Sequence, residues 1–213
     1  MRLFTAVLPP PAAVAELTAA LAPVRRLPGA RDLRWTATDG WHLTLAFLGE
    51  VPDDVRPELD ERLARAARRH EPHTLRLAGA GHFGDSALWT GAEGDVRALS
   101  HLAGSVRAAA RRAGAPPAGE QHAFLAHLTL ARTPRSARVP LRPLVDALAA
   151  FQGSSWSVDT LALVASVPPR SGVPGEQPHY DTLAVFPLGR TQRPGQGPGQ
   201  GEGPGGGPAG ADG

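Results

Sequence analysis

The chain has 213 residues, 42% of them apolar and 5% aromatic, which is enough for one domain whose core is mostly leucine, valine and alanine. It has no cysteine and all 22 of its basic residues are arginine. Disulfides, thiolate nucleophiles, Cys-based zinc sites, Schiff bases and lysine-dependent phosphate or adenylate chemistry are therefore excluded. Arginine never titrates in range and lifts the pI to about 10.2, but the formal charge is only +2, so a dense polybasic nucleic-acid binder is not indicated.

Residues 2–8 predict a strand, and the alanine-rich stretch 11–26 predicts a helix with prolines near its start. Arg34-Trp35 is a short extended piece. Residues 42–48 predict a buried strand closed by Gly49. Residues 53–70 predict a helix, with Asp53 as N-cap and Val55, Leu59, Leu63 and Ala67 spaced by four. Strands are expected at 74–78 and 86–92 around a turn rich in glycine (Gly79, Gly81, Gly84). A helix follows at 95–113, stopped by Gly114 and Pro116-Pro117. His127–Arg132 predicts another strand, Leu141–Phe151 a short helix, and Val158–Val167 and Tyr180–Phe186 the last two strands. The folded domain is expected to span 1–188. From 189 a disordered tail is expected, because Thr191–Gly213 holds ten glycines and four prolines in 23 residues. The N-terminal apolar run is too short for a signal peptide and no run of 18 apolar residues exists, so the expected location is the cytoplasm.

The tetrad His-Leu-Thr-Leu occurs at 42–45 and again at 127–130, 85 residues on. Composition alone expects roughly 0.007 such tetrads, so the repetition is not a composition effect. Each tetrad strand is followed by a helical segment, which suggests two related βαβ-type lobes with one tetrad in equivalent positions. Strand alternation puts His42 and Thr44 on one face and Leu43 and Leu45 on the other; His127 and Thr129 are likewise separated from Leu128 and Leu130. If the lobes face each other, two histidines and two threonines converge on one cleft.

That set suits phosphoryl chemistry. An in-line displacement needs a base on the attacking side and an acid on the leaving side, and one neutral and one protonated imidazole provide both near neutral pH. The threonine hydroxyls suit the non-bridging oxygens, where charge must be held. No metal is required in this scheme. A metal-dependent phosphoesterase would want carboxylates beside the histidines; the tetrads carry none, and Glu50 and Asp39 are close in sequence only. The remaining histidines are read as structural: His70 and His73 at a helix end, His101 in a helix, and His82, His122 and His179 near loops, with His82 and His179 at most lining a cleft.

The sequence resembles the 2H phosphoesterase superfamily, named for two His-x-Thr/Ser-x motifs. Within it the match is similar to the bacterial and archaeal RNA 2′,3′-cyclic phosphodiesterases, or 2′-5′ RNA ligases of the LigT type. The resemblance rests on Met1–Phe4, Arg34-Trp35, the block Trp41–Val51, the block His127–Arg132 and Phe186-Pro187-Leu188, and spans residues 1–188. It implies an α+β fold of two pseudo-symmetric lobes, each an antiparallel sheet with helices on its outer face, enclosing a central cleft. It also implies hydrolysis of a 2′,3′-cyclic phosphate to a 2′-phosphomonoester, a reaction that in reverse makes a 2′-5′ link. His42 would be the proton donor, His127 the proton acceptor that activates water, and Thr44 and Thr129 would hold phosphate oxygens. Arg132 would contact phosphate, brace the cleft or serve a structural ion pair; a regular strand would put it on the Leu128/Leu130 face. RNA ends or cyclic-phosphate nucleotides are the implied substrates. No cofactor, metal, membrane or obligate protein partner is implied, and the chain is expected to act as a monomer.

Three positions depart from that pattern. Ala46 stands where Lys or Arg is usual, Leu125-Ala126 replaces Arg-Pro before the second tetrad, and Leu163-Val164-Ala165-Ser166 replaces a Tyr-Glu-Ser segment. They thin the positive charge around RNA. The alternatives are therefore a phosphodiesterase for a small cyclic nucleotide and a non-catalytic RNA-end-binding protein. Phe47, Phe83 and Trp89 are candidates for stacking on a base.

Overall fold

The structure, a computed structural model, describes residues 1–118, 123–168 and 177–189. Nine strands and four α-helices follow in the order β1 (Arg2–Val7), α1 (Pro11–Val24), β2 (Arg34–Trp35), β3 (Leu43–Glu50), α2 (Arg56–Ala67), β4 (His73–Phe83), β5 (Ala87–Gly94), α3 (Val96–Arg112), β6 (His127–Arg132), α4 (Arg142–Leu148), β7 (Trp156–Val158), β8 (Thr160–Val167) and β9 (His179–Pro187). They form two antiparallel sheets, one ordered β3-β1-β8-β9 and the other β2-β6-β5-β4-β7. This is the expected α+β class. Among the described residues, no helix is long and apolar enough to cross a membrane.

The lobes are not βαβ units and are not the two halves of the chain. Every pairing is antiparallel, and each sheet draws on both halves: the C-terminal β8 and β9 complete the sheet begun by β1 and β3, while β2 adds to the edge of β6. The helices cross over as well. α2 packs on α3, with α3 against β3 and α2 against β9, so both cover the first sheet; α1 and α4 pack together and against β4 of the second. The helix that follows a strand of one lobe thus covers the other in two cases, α1 after β1 and α3 after β5. One continuous hydrophobic cluster under both sheets is the result.

Burial explains the strand patterns. β1 is a central strand, buried from Leu3 to Val7, and is apolar there except for Thr5: Leu3 and Val7 enter the main core, whereas Phe4 and Ala6 join Ala162 and Val164 in a smaller cluster on the opposite face. α3 carries Leu99, Leu102, Ala103, Val106 and Ala110 at helical spacing, all fully buried. α2 starts later than expected, at Arg56 after Val55. Asp53 makes no capping bond, and Pro57 in the first turn needs no donor there. The glycine-rich turn comes later and is shorter than expected. β4 runs through Gly79 and Gly81 to Phe83 with an irregular register between Ala78 and Gly81, and the reversal comes at Gly84, whose φ is +49°. β7 is three residues long and pairs with His73–Leu75. His73 opens β4 rather than ending a helix, and is buried. The Gly/Pro-rich tail, apart from Gly189, and His122 lie outside the described residues.

Leu128, in the middle of the second tetrad, is fully buried, whereas Leu125 is 45% exposed. Leu128→Ala is expected to cost about 2–5 kcal/mol in urea unfolding; Leu125→Ala is expected to stay within about 0.5 kcal/mol.

Candidate active site

The two tetrad strands meet at the seam between the sheets. β3 is the edge of the first sheet, β6 lies next to the edge of the second, and the two are in contact. His42 immediately precedes β3 and His127 opens β6. Both, with Thr44 and Thr129, line a single cleft of about 630 Å³. The leucines at 43, 45, 128 and 130 are buried on the other side. Neither threonine hydroxyl bonds to another group among the described residues, so both are open to a ligand.

The two strands share a defect. In the β1–β3 pairing, Ala6 faces Thr44 and Thr5 faces Ala46, leaving Leu45 as an extra residue. In the β5–β6 pairing, Trp89 faces Thr129 and Leu88 faces Ala131, leaving Leu130 as the extra residue. The fourth letter of each tetrad is thus a β-bulge, and Ala46 and Ala131 after it are buried as well. An inserted residue reverses the alternation beyond it. The sixth position of each block, Phe47 in one and Arg132 in the other, therefore returns to the His/Thr face and lines the cleft. This corrects the placement of Arg132 on the leucine face. Phe47, one of the stacking candidates, is 52% exposed in the cleft.

The imidazoles are held alike. His42 Nδ1 lies 2.8 Å from the carbonyl oxygen of Gly40, and His127 Nδ1 lies 2.8 Å from that of Leu125, in each case two residues back. A carbonyl only accepts, so each Nδ1 carries the hydrogen and donates it, which leaves Nε2 with its lone pair. Aromatic rings brace both. Phe4 lies 4.5 Å and Tyr180 5.3 Å from the His42 ring; Phe83 lies 4.8 Å and Trp89 6.1 Å from that of His127. Phe83 and Trp89 are thus supports of His127. Phe4 and Tyr180 carry no local signal in the sequence, because each reaches the site through a strand pairing distant in the chain.

Electrostatics favour neutral rings. Burial pushes His42 down from 6.5 to about 4. Its bond to Gly40 opposes this, and the charges of His127 and Arg132 add to the lowering. Burial also lowers His127, opposed by its bond to Leu125 and assisted by Arg132. The other described histidines do not line the cleft. His82 turns onto the carbonyl of Gly84, His179 pairs with Asp181 at 2.8 Å, and His70 bonds to Ser105. Among the described residues, no group of three or more His, Asp or Glu side chains is gathered as for a metal ion.

A family model described as the 2′-5′ RNA ligase superfamily matches residues 9–167. The chain belongs to that superfamily. It is 34% identical over 207 residues to the RNA 2′,3′-cyclic phosphodiesterase of Thermus thermophilus, covering 92% of this chain and 97% of the relative. It is 32% identical over 160 residues to the protein of the same name from Geobacillus stearothermophilus, covering 72% of this chain and 47% of that relative, so it spans about half the relative's length. Among solved structures, it is similar to a protein of Thermus thermophilus (TM-score 0.69, 32% identity, 88% of this chain and 98% of the other). It is also similar to Escherichia coli LigT in complex with 3′-AMP (TM-score 0.69, 28% identity, 90% and 98%).

Two outcomes follow from this geometry. In an NMR titration of the free protein, His42 is expected to titrate near pH 4, and inorganic phosphate is expected to raise its midpoint; a midpoint of 6.5 indifferent to phosphate would contradict the burial argument. The same shift links to stability. With its folded value depressed, the unfolded state binds more protons between pH 4 and 6.5. The contribution is therefore full above about 6.5 and is lost as pH falls toward 4, by up to about 3 kcal/mol at roughly 1.4 kcal/mol per unit. The second outcome concerns Gly81, where an added Cβ would sit 2.2 Å from the Trp89 ring. Gly81→Ala is expected to displace the ring that supports His127 and to lower kcat by about 10²-fold with the fold retained, as judged by circular dichroism.

Proposed function

We propose that this protein hydrolyses RNA 2′,3′-cyclic phosphate ends to 2′-phosphomonoesters by metal-independent acid–base catalysis. The observation that carries the reading is the matched pair of imidazoles on one cleft, each with its Nδ1–H fixed on a carbonyl and each beside a threonine hydroxyl with no other partner among the described residues. Membership of a superfamily whose relatives are named RNA 2′,3′-cyclic phosphodiesterases supports the substrate.

In this reading, water attacks phosphorus as His127 Nε2 takes its proton. The P–O3′ bond breaks, and His42 Nε2–H protonates the departing O3′. Thr44, Thr129 and Arg132 hold the non-bridging oxygens, whose charge grows in the transition state. His127 suits the base because burial and Arg132 keep it neutral. His42 is neutral in the empty cleft at neutral pH, so its acid role depends on the substrate. The phosphodiester anion offsets the Arg132 charge and favours uptake of a proton by the buried ring. The same groups, with a 5′-hydroxyl in place of water, would form a 2′-5′ linkage. We place residues 1–188 in one bilobal domain acting as a monomer in the cytoplasm, with RNA ends as its substrate.

Incubation with an RNA fragment ending in a 2′,3′-cyclic phosphate is expected to yield the 2′-phosphate, with undiminished turnover in excess EDTA. His42→Ala and His127→Ala are each expected to lower kcat by at least about 10²-fold with folding intact. A 3′-phosphate product would exchange the acid and base assignments, and retained turnover in the His127 variant would remove the base.

A further inference from the structure

The cleft continues past Arg132 into an annex of about 530 Å³, and the two share Thr36, Arg132, Pro178 and Tyr180 in their walls. Among the described residues, three arginines line this annex, Arg34, Arg132 and Arg135, and no carboxylate does. Arg34 and Arg132 are direct partners across the β2–β6 pairing, an arrangement in which like charges repel. Among the described residues, neither they nor Arg135 forms an ion pair with an acidic side chain. The strand that carries Arg34 is pinned in place. Trp35 Nε1 donates to the carbonyl of Ala30 at 2.8 Å, and the Arg25 guanidinium stacks 5.0 Å above its ring. Gln177 closes one side, donating to the carbonyl of Trp35 and accepting from the backbone of Ala37. A fixed strand that sets one arginine opposite another is stabilised when an anion lies between them.

Arg132 is within electrostatic reach of both histidines and, under the proposed function, holds the reacting phosphate. Arg34 and Arg135 are therefore in excess of what one phosphate needs. We infer that the annex binds the phosphate on the 5′ side of the terminal nucleotide, as the internal phosphodiester of an RNA chain. The favoured substrate is then an RNA end of at least two nucleotides rather than a nucleoside 2′,3′-cyclic phosphate. This rests on the reading of the cleft as a cyclic phosphodiesterase site and names its substrate class.

The test compares three substrates with the same terminal adenosine 2′,3′-cyclic phosphate: the nucleoside form, its 5′-phosphate, and the ApA dinucleotide. The dinucleotide is expected to exceed the nucleoside form by at least about 10-fold in kcat/KM, mostly through KM, with a steeper loss in salt. In the Arg34→Gln, Arg135→Gln double variant the ratio is expected to fall toward one. A wild-type ratio near one, or a ratio that the double variant leaves unchanged, overturns the inference. A gain confined to the 5′-phosphorylated mononucleotide overturns the assignment to an RNA chain. Failure to hydrolyse any of the three overturns instead the cyclic-phosphodiesterase reading beneath it.

Discussion

The cleft depends on an extra residue at the same step of each of two strands. A tetrad strand must bury its leucines under a helical layer and keep its histidine and threonine on the opposite face, and alternation alone achieves this for four residues. The bulges at Leu45 and Leu130 then let two successive apolar residues face the core before the strand returns to the cleft. A regular strand would bring Ala46 and Ala131 to that face and send Phe47 and Arg132 into the core, where a guanidinium has no place without a partner. The bulges therefore give the site one of its cations, Arg132, and its exposed aromatic ring, and they do so at the same step of both strands.

Around that frame the site is built to keep two imidazoles neutral and aimed. A carbonyl two residues back requires no further side chain and sets the tautomer, so the donor and acceptor ends of each ring follow from the local backbone. Burial against Phe4 and Tyr180 on one side, and Phe83 and Trp89 on the other, fixes ring direction and disfavours charge. Arg132 opposes protonation of both rings while the cleft is empty. A bound phosphate anion would reverse that local field. Under the proposed reading, the protonation state needed for leaving-group departure thus arises when substrate is present and not before.

Much of this is legible in the sequence, for reasons that differ by residue. The tetrads declare their faces through local alternation, so His42, Thr44, His127 and Thr129 are found together as expected. The long apolar helices are legible because α3 repeats its buried positions at helical spacing. Arg132 falls on the wrong face of a regular strand because a bulge changes register without changing composition; the Leu-Ala pair that follows each threonine is its only trace. Phe4 and Tyr180 leave no local signal, since their proximity to His42 comes from β1 and β9, which reach the site through separate pairings. The crossed lobes are hidden for the same reason. Whether β8 pairs with β1 or with β4 is settled by long-range packing, to which no window of a dozen residues is sensitive.

The pseudo-symmetry of the two tetrads would, if complete, leave a substrate no means of telling one histidine from the other. The sixth position breaks it. Beyond the first tetrad the cleft presents Phe47, and beyond the second it presents Arg132, which faces Arg34 across the β2 pairing. A polyanion approaching such a cleft is drawn to the β6 side, while an unstacked base finds apolar surface on the β3 side. Under the proposed reading, this exchange of one residue type between two otherwise matched strands is what orients the substrate. Ala46 and Leu125-Ala126 carry no charge beside the tetrads, so the cationic lining of the cleft is Arg132, which faces Arg34 on the β2–β6 edge, together with Arg2 of β1.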